Sequence, residues 1–331
     1  MNSVWNEAQL TALYTLTPLH CGSGQAAAAV DLPIAREAGS DLPIIPATGL
    51  KGAAREALTG ELGKDTLNIL FGPELDSSEG ASTLSAGAVT FTEARLVAYP
   101  VRSLNRLFLH VTCPLIVERL ARDLRIAGLQ QTLFEQDWQP AVDAEQALVA
   151  DAALAGQALV LEDLVFSGEE TRHCPQLQRF GQALAGLLPS AETATCGRLS
   201  SDLIMIPDSD FSELMSRIIP VRARIKLTDG KTTDEWISEE GEIQSGNLWY
   251  EEALPSDCLF LTLLGARRQR SRGSGSNASG QAAADEPLKI LGAHVGKLAA
   301  IQLGGNETVG YGLCWWSGWD EPQRTGQGGT A

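Results

Sequence analysis

The run from Leu10 to Leu16 is apolar at most positions and predicts an opening strand. It feeds a stretch rich in Gly, Ala and Pro, Thr17 to Pro46, in which neither helical nor strand periodicity is sustained. A loop that long inside a compact domain is usually functional or disordered. From Thr48, read as the N-cap, Leu50, Ala53, Ala54, Ala57 and Leu58 recur at helical spacing and predict a helix to about Leu62. Lys51 and Arg55 stand four apart and so project from one side of it.

Further strands are predicted at Ala88 to Ala98, Leu107 to Thr112, Leu159 to Phe166, Leu203 to Ile206, Val221 to Leu227 and Leu259 to Leu264. Pro114 suits the first turn of a helix that Gly128 closes, and helices are also predicted at Pro175 to Leu187 and Pro287 to Gln302. Strict alternation puts Val221, Ala223, Ile225 and Leu227 on one strand face and Arg222, Arg224 and Lys226 on the other. Thr228-Asp229-Gly230-Lys231 turns this ribbon, and Leu248-Trp249-Tyr250-Glu251-Glu252 brings the chain back. The fold class is α+β, a single domain over 1–331 without internal repeat. Arg267 to Asp285 is too polar and too simple to offset its ordering entropy, so 267–285 reads as a disordered loop and 321–331 as a flexible tail.

Composition narrows the class. With 44% hydrophobic and 20% charged residues the chain can bury a substantial core. No apolar run is long enough to span a bilayer and Met1 to Gln9 lack a signal-peptide pattern, which points to a cytoplasmic protein without a membrane partner. Six cysteines are scattered singly, which argues against a zinc centre or a disulfide framework. A net charge of −16 repels a naked phosphate backbone. The cations nevertheless fall in groups, Lys51 and Arg55, Arg102 and Arg106, Arg119, Arg122 and Arg125, and Arg217 to Lys226, which leaves a local basic track open.

The candidate chemistry is modest residue by residue. His20, with an ordinary pKa of about 6.5, suits proton transfer, yet alone it reads as structural. Asp31, ionised above about pH 3.9, suits holding a metal or orienting a hydroxyl, yet alone it reads as a solvated loop acid. Gly304-Gly305-Asn306-Glu307-Thr308-Val309-Gly310-Tyr311-Gly312 offers backbone amides to an anion, although no Gly-Lys-Ser/Thr makes it a Walker loop.

Taken together, Leu13 to Gly24, Val30-Asp31-Leu32-Pro33-Ile34 and Gly49-Leu50-Lys51-Gly52-Ala53-Ala54-Arg55 closely resemble the RAMP superfamily, in particular the backbone subunits of Cmr, type III-B, CRISPR effector complexes. The resemblance continues through Ala94 to Leu104, Arg119 to Ala127, Leu248 to Pro255 and Gly304 to Gly312, and thins between Gln130 and Ser200. It implies a modified ferredoxin-like, RRM-type palm with an inserted β-hairpin thumb over 217–255. It also implies copies stacked head to tail on a guide RNA, other Cmr subunits as neighbours, and base pairing that selects the target RNA.

By the same resemblance the chain is a metal-dependent endoribonuclease for antiviral defence, using Mg or Mn and leaving 2′,3′-cyclic phosphate products. Asp31 falls on the catalytic and metal-holding aspartate, while His20, Glu251 and Glu252 fall near the active site. Lys51, Arg55, Arg222, Arg224, Gly304, Gly305, Gly310, Tyr311 and Gly312 fall on RNA-binding positions, with Tyr311 suggesting a stacking contact where relatives often carry a basic residue. Two alternatives stay open: an inert RAMP scaffold that coats guide RNA without cutting, and, more remotely, a small-molecule enzyme using the glycine loop for a nucleotide.

Overall fold

In a computed structural model, the opening apolar run forms an interior strand of a broad mixed sheet. The structure describes residues 4–25, 30–74, 86–129, 133, 138–227, 235–237, 243–245, 248–266, 286–319 and 323–324. The turn expected at Thr228 to Lys231, the loop 267–285 and most of the tail 321–331 lie outside the described residues.

In chain order the strands are β1 (Glu7–Thr15), β2 (Ile44–Ile45), β3 (Val89–Phe91), β4 (Ala94–Arg102), β5 (Phe108–Thr112), β6 (Ala147–Val149), β7 (Leu159–Leu161), β8 (Leu164–Phe166) and β9 (Thr171–His173). They continue with β10 (Leu203–Met205), β11 (Val221–Ile225), β12 (Glu235–Ile237), β13 (Ile243–Ser245), β14 (Leu248–Glu252), β15 (Leu259–Ala266), β16 (Ile301–Gln302), β17 (Leu313–Ser317) and β18 (Gln323–Arg324). The helices are α1 (Ala47–Leu58), α2 (Lys64–Phe71), α3 (Pro114–Ala127), α4 (Pro175–Ala185), α5 (Thr193–Ser201), α6 (Asp208–Ile218) and α7 (Pro287–Val295).

The large sheet runs β16-β17-β1-β15-β4-β5-β10-β6-β9, with β18 on β1, β2 on β4 and β3 on β15. β1 pairs antiparallel with β15 from Glu7↔Ala266 to Tyr14↔Leu259 and with β17 on its other edge. Every residue of β15 is buried, as a strand covered on both faces requires. Parallel pairs β5–β10 and β6–β9 make the sheet mixed. α3 starts at Pro114 and ends on Gly128, whose φ of 78° closes the last turn. It sinks Ile116, Val117, Leu120 and Leu124 into the core, each contributing about 1.5–3 kcal/mol of burial.

Several expected boundaries move. α1 begins at Ala47, so Thr48 lies inside the helix, and it stops at Leu58. The long strand at Leu159 to Phe166 is a tight hairpin, β7–β8, turning at Glu162 with φ 52°. The segment at 88–98 divides into β3 and β4, and α7 ends seven residues before Gln302, which belongs to β16. The loop after β1 is pinned where it is described, through bridges Leu19↔Leu254, Gly22↔Ile34, Leu32↔Glu251 and Arg36↔Pro43. Two of them close the loop on itself, and those to Glu251 and Leu254 bind it to the end of β14, which is how residues far apart in sequence form one site.

Most of the grouped cations are consumed structurally. Arg106 bridges Asp151 and the buried Asp202. Arg119 meets Glu37 at 2.5 Å, Arg95 spans Glu37 and Asp123, and Arg217 pairs with Asp163. Among the described residues no helix is long and apolar enough to cross a membrane.

Candidate functional site

The site forms where three segments converge: the end of β1 with its loop, the β11–β14 ribbon, and the glycine loop between β16 and β17. The ribbon pairs antiparallel in register Val221↔Glu252, Arg222↔Glu251, Ala223↔Tyr250, Arg224↔Trp249 and Ile225↔Leu248. Alternation therefore does segregate its side chains. Val221, Ile225, Leu227 and, from the partner strand, Leu248 and Tyr250 are exposed, whereas Arg222 and Arg224 lean onto the glycine loop.

The ribbon's other edge carries the loop with Asp31. The amides of Asp31 and Leu32 both donate to the Tyr250 carbonyl at 3.1 Å, and the Tyr250 amide donates to Asp31 Oδ2 at 2.7 Å. The Glu252 amide in turn donates to the Leu32 carbonyl. Asp31 is exposed, and one of its oxygens is fixed by backbone.

His20 is buried, with Nδ1 2.7 Å from the Glu252 carbonyl. A carbonyl only accepts, so in the neutral ring Nδ1 carries the proton and Nε2 keeps its lone pair. Nε2 faces Gly22, where an added Cβ would stand 2.8 Å away. The His20 carbonyl accepts from the Gly305 amide, and Gly304, at φ 75°, passes so close to that carbonyl that no side chain fits.

The two glutamates differ from Asp31. The Glu251 side chain is 2% exposed, with Arg224 Nε at 3.4 Å, His20 Nδ1 at 3.8 Å and a hydrogen bond donated by Asn306 Nδ2. Glu252 accepts from the Ile34 amide at 3.1 Å and pairs with Arg36 Nη2 at 3.0 Å. Both are consumed by protein partners. Among the described residues no three His, Cys, Asp or Glu side chains converge to hold an ion. With both glutamates engaged, the described side chains alone do not build a site for a resident divalent ion.

The RNA-binding candidates separate in the same way. Arg55 turns onto α2, reaching the Gly72 carbonyl, Asn68 Oδ1 and Glu74, which makes it a tie between two helices. Half-buried Lys51 makes no side-chain hydrogen bond or ion pair with the described residues. In the glycine loop, the amides of Gly305, Gly310, Tyr311 and Gly312 already donate within the protein, while 307–310 form an exposed tip. Tyr311 is buried, and the guanidinium carbons of Arg222 and Arg224 lie 5.4 and 4.9 Å from its ring centroid, where a stacking base was expected. Sequence reasoning missed Arg36, the partner of Glu252, and did not single out Asn306 or Tyr250. Their partners lie more than fifty residues away, and no local spacing records them.

Comparison with known proteins follows this geometry. The model of the RAMP superfamily matches residues 12–315. A relative from Pyrococcus furiosus, the CRISPR system Cmr endoribonuclease Cmr4, is 30% identical over 314 residues, which cover 93% of this chain and 94% of that protein. The crystal structure of oligomeric Cmr4 from the same organism superposes with a TM-score of 0.65 at 24% identity, over 94% of this chain and 97% of the other. A chain in the cryo-EM structure of the Type III-B Cmr-beta bound to cognate target RNA gives a TM-score of 0.65 at 21% identity, over 95% and 97%. The structural matches establish a shared fold, and with the family match and the Cmr4 relative both extending over nearly all of its length, the chain belongs to the RAMP superfamily.

Proposed function

We propose that this chain is the guide-RNA-binding backbone subunit of a type III-B CRISPR effector and cuts complementary target RNA at regular intervals. The observation that carries the reading is Asp31: an exposed carboxylate, aimed by the Tyr250 amide, in a chain 30% identical to a Cmr endoribonuclease. Its loop is hydrogen-bonded to β14, the strand whose Glu252 carbonyl orders His20.

In this reading the sheet around β1, β15, β4 and β5 is a modified ferredoxin-like palm, and 217–255 is an inserted thumb. The exposed row Val221, Ile225, Leu227, Leu248 and Tyr250 meets the heteroduplex, where unstacking a step costs a few kcal/mol and turns the scissile linkage toward in-line attack. Lys51 and the tip of the glycine loop face guide phosphates. Copies stack head to tail with other Cmr subunits, giving one cut per copy. Base pairing, not side chains, selects the target.

The proposed chemistry is attack of the target's 2′-hydroxyl on the adjacent phosphorus. The 2′-O–P bond forms, the P–O5′ bond breaks, the departing O5′ takes a proton from water, and the products carry a 2′,3′-cyclic phosphate and a 5′-hydroxyl. Asp31 orients the hydroxyl with the oxygen that Tyr250 leaves open, and His20 Nε2 is the nitrogen able to take a proton. A divalent ion, Mg or Mn, would offset the charge that develops on the phosphate, and Asp31 is the side chain that could lend it an oxygen.

One observation favours the scaffold alternative: Glu251 and Glu252 are paired with arginines, so of the candidate acids Asp31 alone is left without a cation beside it among the described residues. Assembly with a guide and a labelled complementary RNA in magnesium separates the two readings. Regularly spaced fragments with 5′-hydroxyl ends support cutting, whereas an intact, tightly bound target supports the scaffold.

A further inference from the structure

The glycine loop and the ribbon meet through five side chains. Tyr311 is 5% exposed, with Arg222 and Arg224 against its ring, and Arg222 Nη1 donates to its hydroxyl oxygen at 2.6 Å. Arg224 continues to Glu251, and Asn306, from the same loop as Tyr311, closes onto Glu251 from below. Two cations that would repel one another are thus held together by one carboxylate and one π face. Glu251 sits in β14 between Tyr250, which aims Asp31, and Glu252, whose carbonyl fixes His20.

We propose that Tyr311 is a positioning residue: by seating Arg222 and Arg224 on its ring it locks the β11–β14 ribbon to the glycine loop and so sets the places of Asp31 and His20 together. This rests on the cutting function proposed above, and it deepens that reading by assigning a role to a side chain that touches no substrate. The mechanical argument is short. The ribbon is a two-stranded sheet, which is marginal without support, and its exposed apolar row supplies none. The Tyr311 cluster supplies the support on the opposite face. Tilting β14 would carry the Tyr250 and Glu252 backbone, and both reactive side chains with it.

The test uses Tyr311→Leu, Tyr311→Phe and Arg224→Gln in the full chain. In the isolated protein, hydrogen exchange at the Asp31, Leu32 and Tyr250 amides should quicken about tenfold in Tyr311→Leu and Arg224→Gln, the scale of losing two cation–π contacts or one with its ion pair. Exchange in β1 and β15 should stay unchanged, and Tyr311→Phe, which keeps the ring and loses only the Arg222 hydrogen bond, should quicken exchange less than Tyr311→Leu. In the assembled complex, single-turnover cleavage by Tyr311→Leu should fall about 10- to 100-fold with target affinity retained, because small misplacements of reacting groups carry costs of that size.

Unchanged exchange in both Tyr311→Leu and Arg224→Gln would overturn the proposal, as would cleavage by Tyr311→Leu at the parent rate. Loss of target binding in parallel with cleavage would also overturn it, since that marks Tyr311 as an RNA contact. If the parent complex itself does not cut, the function proposed above fails, and the exchange measurement still decides whether Tyr311 holds the ribbon.

Discussion

Glu251 and Asp31 are both acidic and both lie against the ribbon, but they should behave oppositely when truncated. In Glu251→Ala, Arg224 loses a carboxylate at 3.4 Å, and Coulomb's law with an effective dielectric of about 20–40 puts that interaction at about 2.5–5 kcal/mol. Arg224 is 27% exposed, so water screens part of the loss and the lower end applies, about 2–3 kcal/mol. An unfolding entropy of about 2.1 cal/mol/K per residue, scaled to 331 residues, is about 0.7 kcal/mol/K, so the Tm should fall by about 3–4 °C. Asp31→Ala gives up one solvent-exposed hydrogen bond, an effect within about 0.5 kcal/mol and so a Tm change under about 1 °C. Thermal unfolding of the two variants, followed by circular dichroism at neutral pH, checks the contrast. A larger drop for Asp31→Ala than for Glu251→Ala would refute the division between a structural and a functional carboxylate.

Gly22→Ala places a methyl 2.8 Å from His20 Nε2 and should slow single-turnover cleavage by about tenfold or more with target affinity kept; an unchanged rate would remove His20 Nε2 from the reaction. His110 is fully buried, and desolvation drives its pKa down to about 4 against the partial opposition of the Asp257 carbonyl. The unfolded chain therefore takes up this proton first as the pH falls, so stability should drop between about pH 6.5 and pH 4, and His110→Asn should flatten that part of the Tm profile. Chelation should leave the Tm of the protein alone unchanged, because no resident ion is built from its described side chains, while abolishing target cleavage. A chelator-induced fall in Tm would contradict this.

What the sequence made legible was whatever a short window records. The apolar run at Leu10 to Leu16 became β1, the Pro114 and Gly128 brackets became the ends of α3, and the alternation at Val221 to Leu227 became a ribbon whose faces do differ. These elements were not legible: α2 and α6 show one buried stripe each, α5 buries only Leu199, and β6 and β9 are three-residue strands stabilised by neighbours distant in sequence. The site divides along the same line. Asp31, His20, Glu251 and Tyr311 were visible as motif positions, but that Arg55 ties α1 to α2, that Glu252 belongs to Arg36, and that Arg222 and Arg224 share Tyr311 are facts of long-range packing. Alternation identifies which side chains share a face and is silent about what that face meets.

The central claim is that the exposed carboxylate held by Tyr250 does the cutting. Its most direct test is Asp31→Asn, which keeps size and the hydrogen bond from the Tyr250 amide while removing the charge, assembled with guide and complementary RNA in magnesium. The variant should bind target with the affinity of the parent complex and yield no regularly spaced fragments. Cutting at the parent rate and spacing would contradict the claim.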